Sequence, residues 1–125
     1  MANIVVIEDD PDMCKLMTYR LQLRGHEVTA VDTGAEGLAN VLRDQPDLVL
    51  LDVQLPDATG LELCRRLRAD PAAKDTVIVM VSASAAESEV DAGLSAGADD
   101  YVTKPFAPSN LVARIEALLA GRAGR

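Results

Sequence analysis

The fold is decided by the sequence DLVLLDVQLPDATG, which spans residues 47–60. It opens with four consecutive branched apolar residues, Leu48 to Leu51, which lie between Pro46 and a loop rich in turn residues. A short apolar run with such boundaries indicates a strand that is buried on both faces of a parallel sheet. Asp52 follows this strand directly, and ligands bind at the carboxyl edge of open α/β sheets. The sequence therefore predicts Asp52 at a functional rim, held by a central strand.

Four further apolar segments alternate with helical patterns along the rest of the chain. The other predicted strands are residues 3–7, 27–31, 77–81 and 101–103. The predicted helices begin at Pro11 behind an Asp10 cap, at the capping sequences TGAE (33–36), TGLE (59–62) and SAAE (84–87), and at Pro108. The third capping sequence predicts a helix over residues 85–95. This βαβ series indicates one parallel sheet with right-handed crossovers and helices on both faces.

Size and composition favour a single folded domain without a membrane segment. The chain has 125 residues, 49% of them hydrophobic, and a net charge of −8. We expect one domain over residues 1–120 and a flexible tail over residues 121–125. The acidic balance argues against direct binding of nucleic acid or of an anionic membrane. No apolar run approaches the ~20 residues of a membrane span and the chain opens directly into a strand, so we expect a cytoplasmic protein.

Chemically capable side chains follow four of the five predicted strands. Glu8 and Asp9 follow the first strand, Asp52 the third, Ser82 the fourth and Lys104 the fifth. Each has an ordinary explanation when taken alone, as a helix cap, a turn hydroxyl or a solvated lysine. The carboxyl ends of parallel strands share one edge of the sheet, however, so these side chains are expected to meet there.

The residue types at this rim favour phosphoryl chemistry with a metal ion. Neighbouring carboxylates repel one another unless a cation lies among them, and their oxygens suit Mg²⁺. Asp52, on the most apolar strand, is the best candidate for a carboxylate nucleophile that accepts a phosphoryl group. A lysine ammonium and a serine hydroxyl would then bind the phosphoryl oxygens.

From residue 3 to residue 120 the chain resembles a receiver domain of a two-component response regulator. The matching pieces are Glu8-Asp9, Asp52 with Leu55-Pro56 and Thr59-Gly60, Val81-Ser82-Ala83, and DYVTKPF at residues 100–106. The resemblance implies a doubly wound (βα)5 domain with a five-stranded parallel sheet in the flavodoxin-like order 2-1-3-4-5. It also implies a signalling domain rather than an enzyme, with catalysis limited to its own phosphorylation and dephosphorylation.

The resemblance assigns a role to each residue at the rim. Asp52 would accept a phosphoryl group from a sensor histidine kinase, a histidine phosphotransfer protein or a small phosphodonor. Mg²⁺ or Mn²⁺ would be held by Glu8, Asp9, Asp52 and the main-chain carbonyl of Gln54. Lys104, Ser82 and Ala83 would bind the phosphoryl group, Ser82 and Tyr101 would form the switch pair, and the peptide bond before Pro105 would be cis.

The helix over residues 85–95 has few large apolar residues, and we expect it to form a signalling surface together with residues 99–103 and the exposed face of the last helix. That surface would contact an output domain or a downstream protein, or form a homodimer on phosphorylation with Asp100 and Arg114 as a cross-dimer ion pair. Val90 and Asn110 stand where dimerising relatives place charges, which argues against the dimer. Gly93 favours a helix soft enough to shift; the alternative is that Gly93 packs closely against a neighbour.

Other classes with similar chemistry fit the sequence less well. A phosphatase that forms an aspartyl-phosphate would need an aspartate at the position of Glu8 and room for a second domain. A flavin-binding module would need a Gly/Ser/Thr-rich loop after the first strand, where this chain has three acids. A phosphorylation-independent interaction module of the same fold stays open as the alternative function.

Overall fold

Five parallel strands form one sheet in the order β2-β1-β3-β4-β5, as the sequence predicted. The structure is a computed structural model and describes residues 2–123. The strands are β1 (Asn3–Ile7), β2 (Glu27–Val31), β3 (Leu48–Asp52), β4 (Val77–Ser82) and β5 (Asp100–Thr103). Every residue of β3 and β4 is buried, which is why these two strands are the most apolar in the chain.

Five α-helices cover the two faces of this sheet. They are α1 (Pro11–Leu23), α2 (Gly34–Asp44), α3 (Gly60–Ala69), α4 (Glu87–Ser95) and α5 (Pro108–Ala123), and a short 3-10 helix lies at Pro71–Ala73. Helices α1 and α5 pack on one face, and α2 to α4 pack on the other. In the described part of the chain, no helix is long and apolar enough to cross a membrane.

The core has two halves because side chains alternate along each strand. Leu48 and Leu50 of β3 pack with α1 and α5, whereas Val49 and Leu51 pack with α2 and α3. All four are at most 1% exposed. Burying one such side chain contributes about 1.5–3 kcal/mol, so β3 fixes the sheet from both sides and holds Asp52 in place.

The predicted caps of the first three helices are confirmed. The Asp10 carboxylate accepts hydrogen bonds from the N–H groups of Asp12 and Met13 at the start of α1. The Thr33 and Thr59 hydroxyls accept the N–H groups of Glu36 and Glu62, respectively.

The predicted start of α4 was wrong. We expected Ser84 to cap a helix beginning at Ala85, but α4 begins at Glu87 and its Ala86 cap makes no side-chain hydrogen bond. The Ser84 hydroxyl instead accepts the N–H of Ala86 in a local turn. Serine makes such short-range bonds to the backbone in competition with a helix. Helix α4 therefore starts two residues late and lacks a side-chain cap.

Helix α5 extends into the segment that we expected to be a flexible tail. Helix α5 continues through Ala123, and Arg122 in its last turn contacts two neighbours. Its guanidinium donates to the main-chain oxygen of Asp75 at 2.9 Å and to the carboxylate of Asp47 at 2.7 Å. A cation in the last turn also suits the helix dipole, which supports this extension. Residues 124 and 125 of the expected tail lie outside the described residues.

Candidate functional site

The strand ends bring the predicted site residues to one cleft, as the sequence indicated. The strands end nearly level, with Ile7 beside Leu51, Asp52 beside Val81 and Ser82 beside Thr103. The resulting cleft has a volume of about 490 Å³. Its lining consists of Asp9, Asp10, Asp52, Val53, Gln54, Ser82, Ala83, Ser84, Glu89 and Lys104. Glu8 lies beneath this cleft, bonded to Lys104.

Three carboxylates form a site that fits a divalent cation. Oxygens of Glu8, Asp9 and Asp52 all lie within 4.8 Å of one another. Glu8 and Asp52 are only 2% and 8% exposed, and Asp9 is exposed. Oε2 of Glu8 is buried without a hydrogen-bond partner among the described residues. A buried carboxylate oxygen of this kind is costly unless a cation or water satisfies it, and hard oxygen ligands suit Mg²⁺.

Lys104 supplies the positive charge within this acidic cluster. Its Nζ donates to Oε1 of Glu8 at 2.7 Å and lies 3.6 Å from Oδ2 of Asp52. Burial, followed by the neighbouring Asp52 carboxylate, raises the pKa of Glu8 to about 7. Burial alone would lower the pKa of Lys104, but its hydrogen bond to Glu8 and the charge of Asp52 raise it. The single ammonium of Lys104 therefore lies beside two buried carboxylates, those of Glu8 and Asp52. When both carboxylates are ionised, the cluster keeps a net negative charge that a bound cation would neutralise.

The loop after β3 holds Asp52 and brings Gln54 to the cleft. Oδ1 of Asp52 accepts the N–H of Gln54 at 3.2 Å. The loop closes on itself because the N–H of Gly60 donates to the carbonyl of Val53 at 2.7 Å. A Cβ atom at Gly60 would lie 2.6 Å from the main-chain oxygen of Asp52, so only glycine permits this closure. Gly60 thus belongs to the site by shaping the loop.

Asp57, at the tip of the same loop, was absent from the predicted site. Its carboxylate accepts hydrogen bonds from the N–H groups of Gly34 and Ala35 in the first turn of α2, at 2.7 and 3.0 Å. These two bonds lower the pKa of Asp57. The sequence signal was an aspartate directly after Pro56, but nothing in the sequence showed that it would reach a helix that begins 23 residues earlier in the chain.

The two predicted switch residues meet at Ser84 rather than touching each other. The Tyr101 ring is buried, at 8% exposed, and its hydroxyl donates to the main-chain oxygen of Ser84 at 2.9 Å. The Ser82 hydroxyl accepts the N–H of Ser84 at 3.1 Å. The ring therefore already lies inward, while the hydroxyl of Ser82 is engaged with the loop before α4.

Gly93 of α4 lies over the Tyr101 ring. A Cβ atom at Gly93 would be 3.0 Å from Sδ of Met80 and 3.0 Å from Cδ2 of Tyr101. Close packing, which was the alternative explanation, therefore accounts for this glycine. Gly93 is nevertheless the only fully buried residue of α4, and Leu94 is 45% exposed. Helix α4 therefore buries little apolar side-chain surface, and the partly buried Val90 is its main contact with the core.

Several other predictions can be compared directly with the structure. The bond between Lys104 and Pro105 is cis, as expected. Arg114 pairs with Asp100 within the chain at 2.7 Å, so the cross-dimer pair that we considered is intramolecular here.

Comparison with known proteins identifies the class to which this fold and site belong. The family model of the response regulator receiver domain matches residues 4–116 of the chain. The chain therefore belongs to this family, and it is the receiver domain of a response regulator. The family assignment and the (βα)5 fold predicted from the short motifs are both confirmed.

Individual relatives support this assignment over nearly the whole chain. The chain is 42% identical to the phosphate regulon transcriptional regulatory protein PhoB of Rhizobium meliloti, over 95% of its own length and 52% of that protein. It is 43% identical to the DNA-binding response regulator MtrA of Mycolicibacterium smegmatis, over 94% of its own length and 50% of that protein. A crystal structure of a response regulator from Chloroflexus aurantiacus superposes with a TM-score of 0.90 at 35% identity, covering 95% of this chain and 98% of that one. The chain spans about half the length of the two curated relatives, PhoB and MtrA.

Proposed function

We propose that Asp52 accepts a phosphoryl group in a reaction that depends on Mg²⁺ and that this event switches the receiver domain. The observation that carries the proposal is that Asp52 shares a carboxylate cluster with Glu8 and Asp9 and lies 3.6 Å from the ammonium of Lys104. A carboxylate there is held by β3, has a cation on one side and faces an open cleft. A carboxylate nucleophile forms an acyl phosphate as the phosphorus–nitrogen or phosphorus–oxygen bond of the donor breaks.

In this proposal Glu8, Asp9, Asp52 and the main-chain carbonyl of Gln54 hold the metal ion. Mg²⁺, or Mn²⁺ in its place, would neutralise the negative charge that gathers between the carboxylate and the incoming phosphoryl oxygens. The unpartnered Oε2 of Glu8 supports this assignment. Asp9 is exposed, so a bound water at its carboxylate can be replaced by the ion. Glu8 is buried, and its carboxylate would lie beneath the ion.

Lys104, Ser82 and Ala83 would bind the oxygens of the transferred group. The Lys104 ammonium lies 3.6 Å from Oδ2 of Asp52, where a phosphoryl group on that oxygen would be within its reach. The Ser82 hydroxyl accepts the N–H of Ser84 and still has its own proton to donate. In this proposal its side chain turns away from Ser84 as it donates that proton to a phosphoryl oxygen. Ala83 lines the cleft without a side chain large enough to block it.

This movement of Ser82 would pass the signal to α4. Ser84 accepts the Tyr101 hydroxyl through its carbonyl and uses its N–H to contact Ser82, so one residue connects both members of the switch pair. Helix α4 begins three residues later without a side-chain cap. We therefore place the signalling surface on α4, β5 and α5, as a shift between two existing states.

We expect hydrogen exchange to detect this shift when beryllium trifluoride, a phosphoryl mimic, is bound with Mg²⁺. The Ser84 amide should exchange about ten-fold faster, because losing its acceptor removes about 1–1.5 kcal/mol of protection. Amides in the first turn of α4 should also change, whereas those of β3 should not. The Asp52→Asn variant under the same conditions is the control. Unchanged exchange at Ser84 and in α4 of the wild-type protein would rule out this route.

The partners follow from the same reaction and from the relatives. A sensor histidine kinase or a histidine phosphotransfer protein would supply the phosphoryl group to this signalling domain in the cytoplasm. PhoB and MtrA are named as transcriptional or DNA-binding regulators, which supports an output domain or downstream protein as the receiver's target. A homodimer on phosphorylation is less well supported, because Arg114 is already paired with Asp100.

Intact-mass measurement after incubation with acetyl phosphate tests the proposed function. We expect one phosphoryl adduct in the presence of Mg²⁺ and none in excess EDTA. Fragmentation after reduction with borohydride should place the adduct on the peptide that contains Asp52. The absence of any adduct with acetyl phosphate and with a kinase panel would instead favour the phosphorylation-independent interaction module.

A further inference from the structure

The β3–α3 loop is attached to α2 through the side chain of Asp57. The two carboxylate oxygens accept hydrogen bonds from Gly34 and Ala35, which provide the first two N–H groups of α2. The next two N–H groups are accepted by Thr33, through its hydroxyl for Glu36 and through its carbonyl for Gly37. All four N–H groups at the start of α2 therefore have acceptors, and two of them bond to the side chain of Asp57 in a different loop.

The contact between this loop and α2 is also close-packed. A Cβ atom at Gly34 would lie 3.1 Å from Oδ1 of Asp57, 3.1 Å from Cβ of Ala58 and 3.0 Å from Cδ1 of Leu63. Glycine therefore lets the helix end approach the loop closely enough for both hydrogen bonds. A carboxylate at a helix N-terminus is further stabilised by the helix dipole.

The loop that Asp57 anchors is the one that contains Gln54. Within the loop, Gln54 and Thr59 face each other as an antiparallel β-bridge. The N–H of Leu55 donates to the carbonyl of Ala58 at 3.2 Å. These internal bonds make residues 53–60 a compact turn with Asp57 at its tip. Fixing the tip therefore fixes the orientation of the whole turn, including the main chain of Gln54 beside Asp52.

We infer that Asp57 is a positioning residue for the metal site, because it clamps the turn that carries the Gln54 carbonyl onto the first turn of α2. The inference rests on the proposed function, in which that carbonyl is a ligand of the ion. A carbonyl that is already oriented binds a cation without the entropic cost of ordering the loop. Asp57 is not a member of the carboxylate cluster of Glu8, Asp9 and Asp52, so its effect on the ion is indirect.

The test is calorimetric titration of the protein with Mg²⁺ alone. We expect Asp57→Ala to raise the dissociation constant about ten-fold, the usual lower end for residues that orient metal ligands. Asp57→Asn keeps one acceptor oxygen and should fall between the alanine variant and the wild type. Thr33→Ala is the matched control, since it removes a hydrogen bond from the same turn of α2 without touching the loop. Its dissociation constant should stay at the wild-type value.

Phosphorylation by acetyl phosphate at varied Mg²⁺ gives a second readout. The Asp57→Ala variant should need about ten-fold more Mg²⁺ for half-maximal rate and reach the wild-type rate at saturation. Unchanged Mg²⁺ affinity in Asp57→Ala, or an equal loss in Thr33→Ala, would overturn the inference. Wild-type protein that binds Mg²⁺ but accepts no phosphoryl group would instead contradict the proposed function, so the two failures can be distinguished.

Discussion

Replacing Asp52 with asparagine is expected to abolish the phosphoryl adduct entirely. The amide has nearly the same shape as the carboxylate but lacks the anionic oxygen that must attack phosphorus. It also removes one of the three carboxylates that we assign to the metal, so Mg²⁺ affinity should fall in the same variant. Intact-mass measurement with acetyl phosphate and Mg²⁺ gives the first result, and calorimetry gives the second.

Asp10→Asn provides the matched control for this experiment. Asp10 also lines the cleft, but its carboxylate accepts the N–H groups of Asp12 and Met13 as the cap of α1. Asparagine caps helices about as well as aspartate, so the fold should be preserved. The adduct should form on Asp10→Asn as on the wild type. An adduct that persists on Asp52→Asn would mean that another carboxylate, Asp9 being the nearest exposed one, is the acceptor.

Much of the site could be predicted because the carboxyl ends of parallel strands all lie at the same edge of the sheet. The apolar runs that lead into Glu8, Asp52 and Ser82 fixed both the strand and the side of the sheet on which each residue emerges. The caps at Thr33 and Thr59 were equally local, since a hydroxyl and an N–H three residues later decide them. Such features depend on neighbours in sequence, and the structure confirms them.

The features that the sequence did not reveal depend on contacts between distant segments. The carboxylate of Asp57 accepts the N–H of Gly34, and no local sequence pattern indicates that these two segments meet. Arg68 of α3 likewise bonds the main-chain oxygens of Gly97 and Thr76 and the carboxylate of Asp99. At Ser84 the capping pattern was present, but the hydroxyl accepts the N–H of Ala86 in a local turn instead of capping a helix. The carbonyl and N–H of the same residue contact Tyr101 and Ser82, and the capping pattern did not indicate these contacts either.

The charge balance beneath the cleft leads to an effect on stability that depends on pH. The folded protein without metal holds a proton on Glu8 up to a pKa of about 7, whereas the unfolded chain releases it near 4.5. Between these values the native state binds more protons than the unfolded state, so the free energy of unfolding falls as the pH rises. The raised pKa of Lys104 adds nothing to this window, since lysine is protonated in both states throughout it.

Replacing Lys104 with methionine should make the free energy of unfolding fall more steeply as the pH rises, and the fall should continue above pH 7. Without the ammonium, ionised Glu8 and Asp52 would repel each other in a buried site, so we expect the free energy of unfolding at pH 8 to fall by about 3 kcal/mol. At pH 5 the defect should be much smaller, because Glu8 is then protonated. Urea unfolding at both pH values measures the difference, and millimolar Mg²⁺ should recover much of the loss at pH 8.

Two control variants separate charge from packing in this experiment. Glu8→Gln removes the buried charge instead of its partner, so at pH 8 without metal it should be at least as stable as the wild type. Lys15→Met changes an exposed lysine of α1 and should stay within about 0.5 kcal/mol at either pH. If Lys104→Met lost the same stability at pH 5 and pH 8, the contribution of Lys104 would lie in the packing of its aliphatic stem. A loss confined to the higher pH and reversed by Mg²⁺ would mean that the metal-free site is held under electrostatic repulsion that the ion relieves.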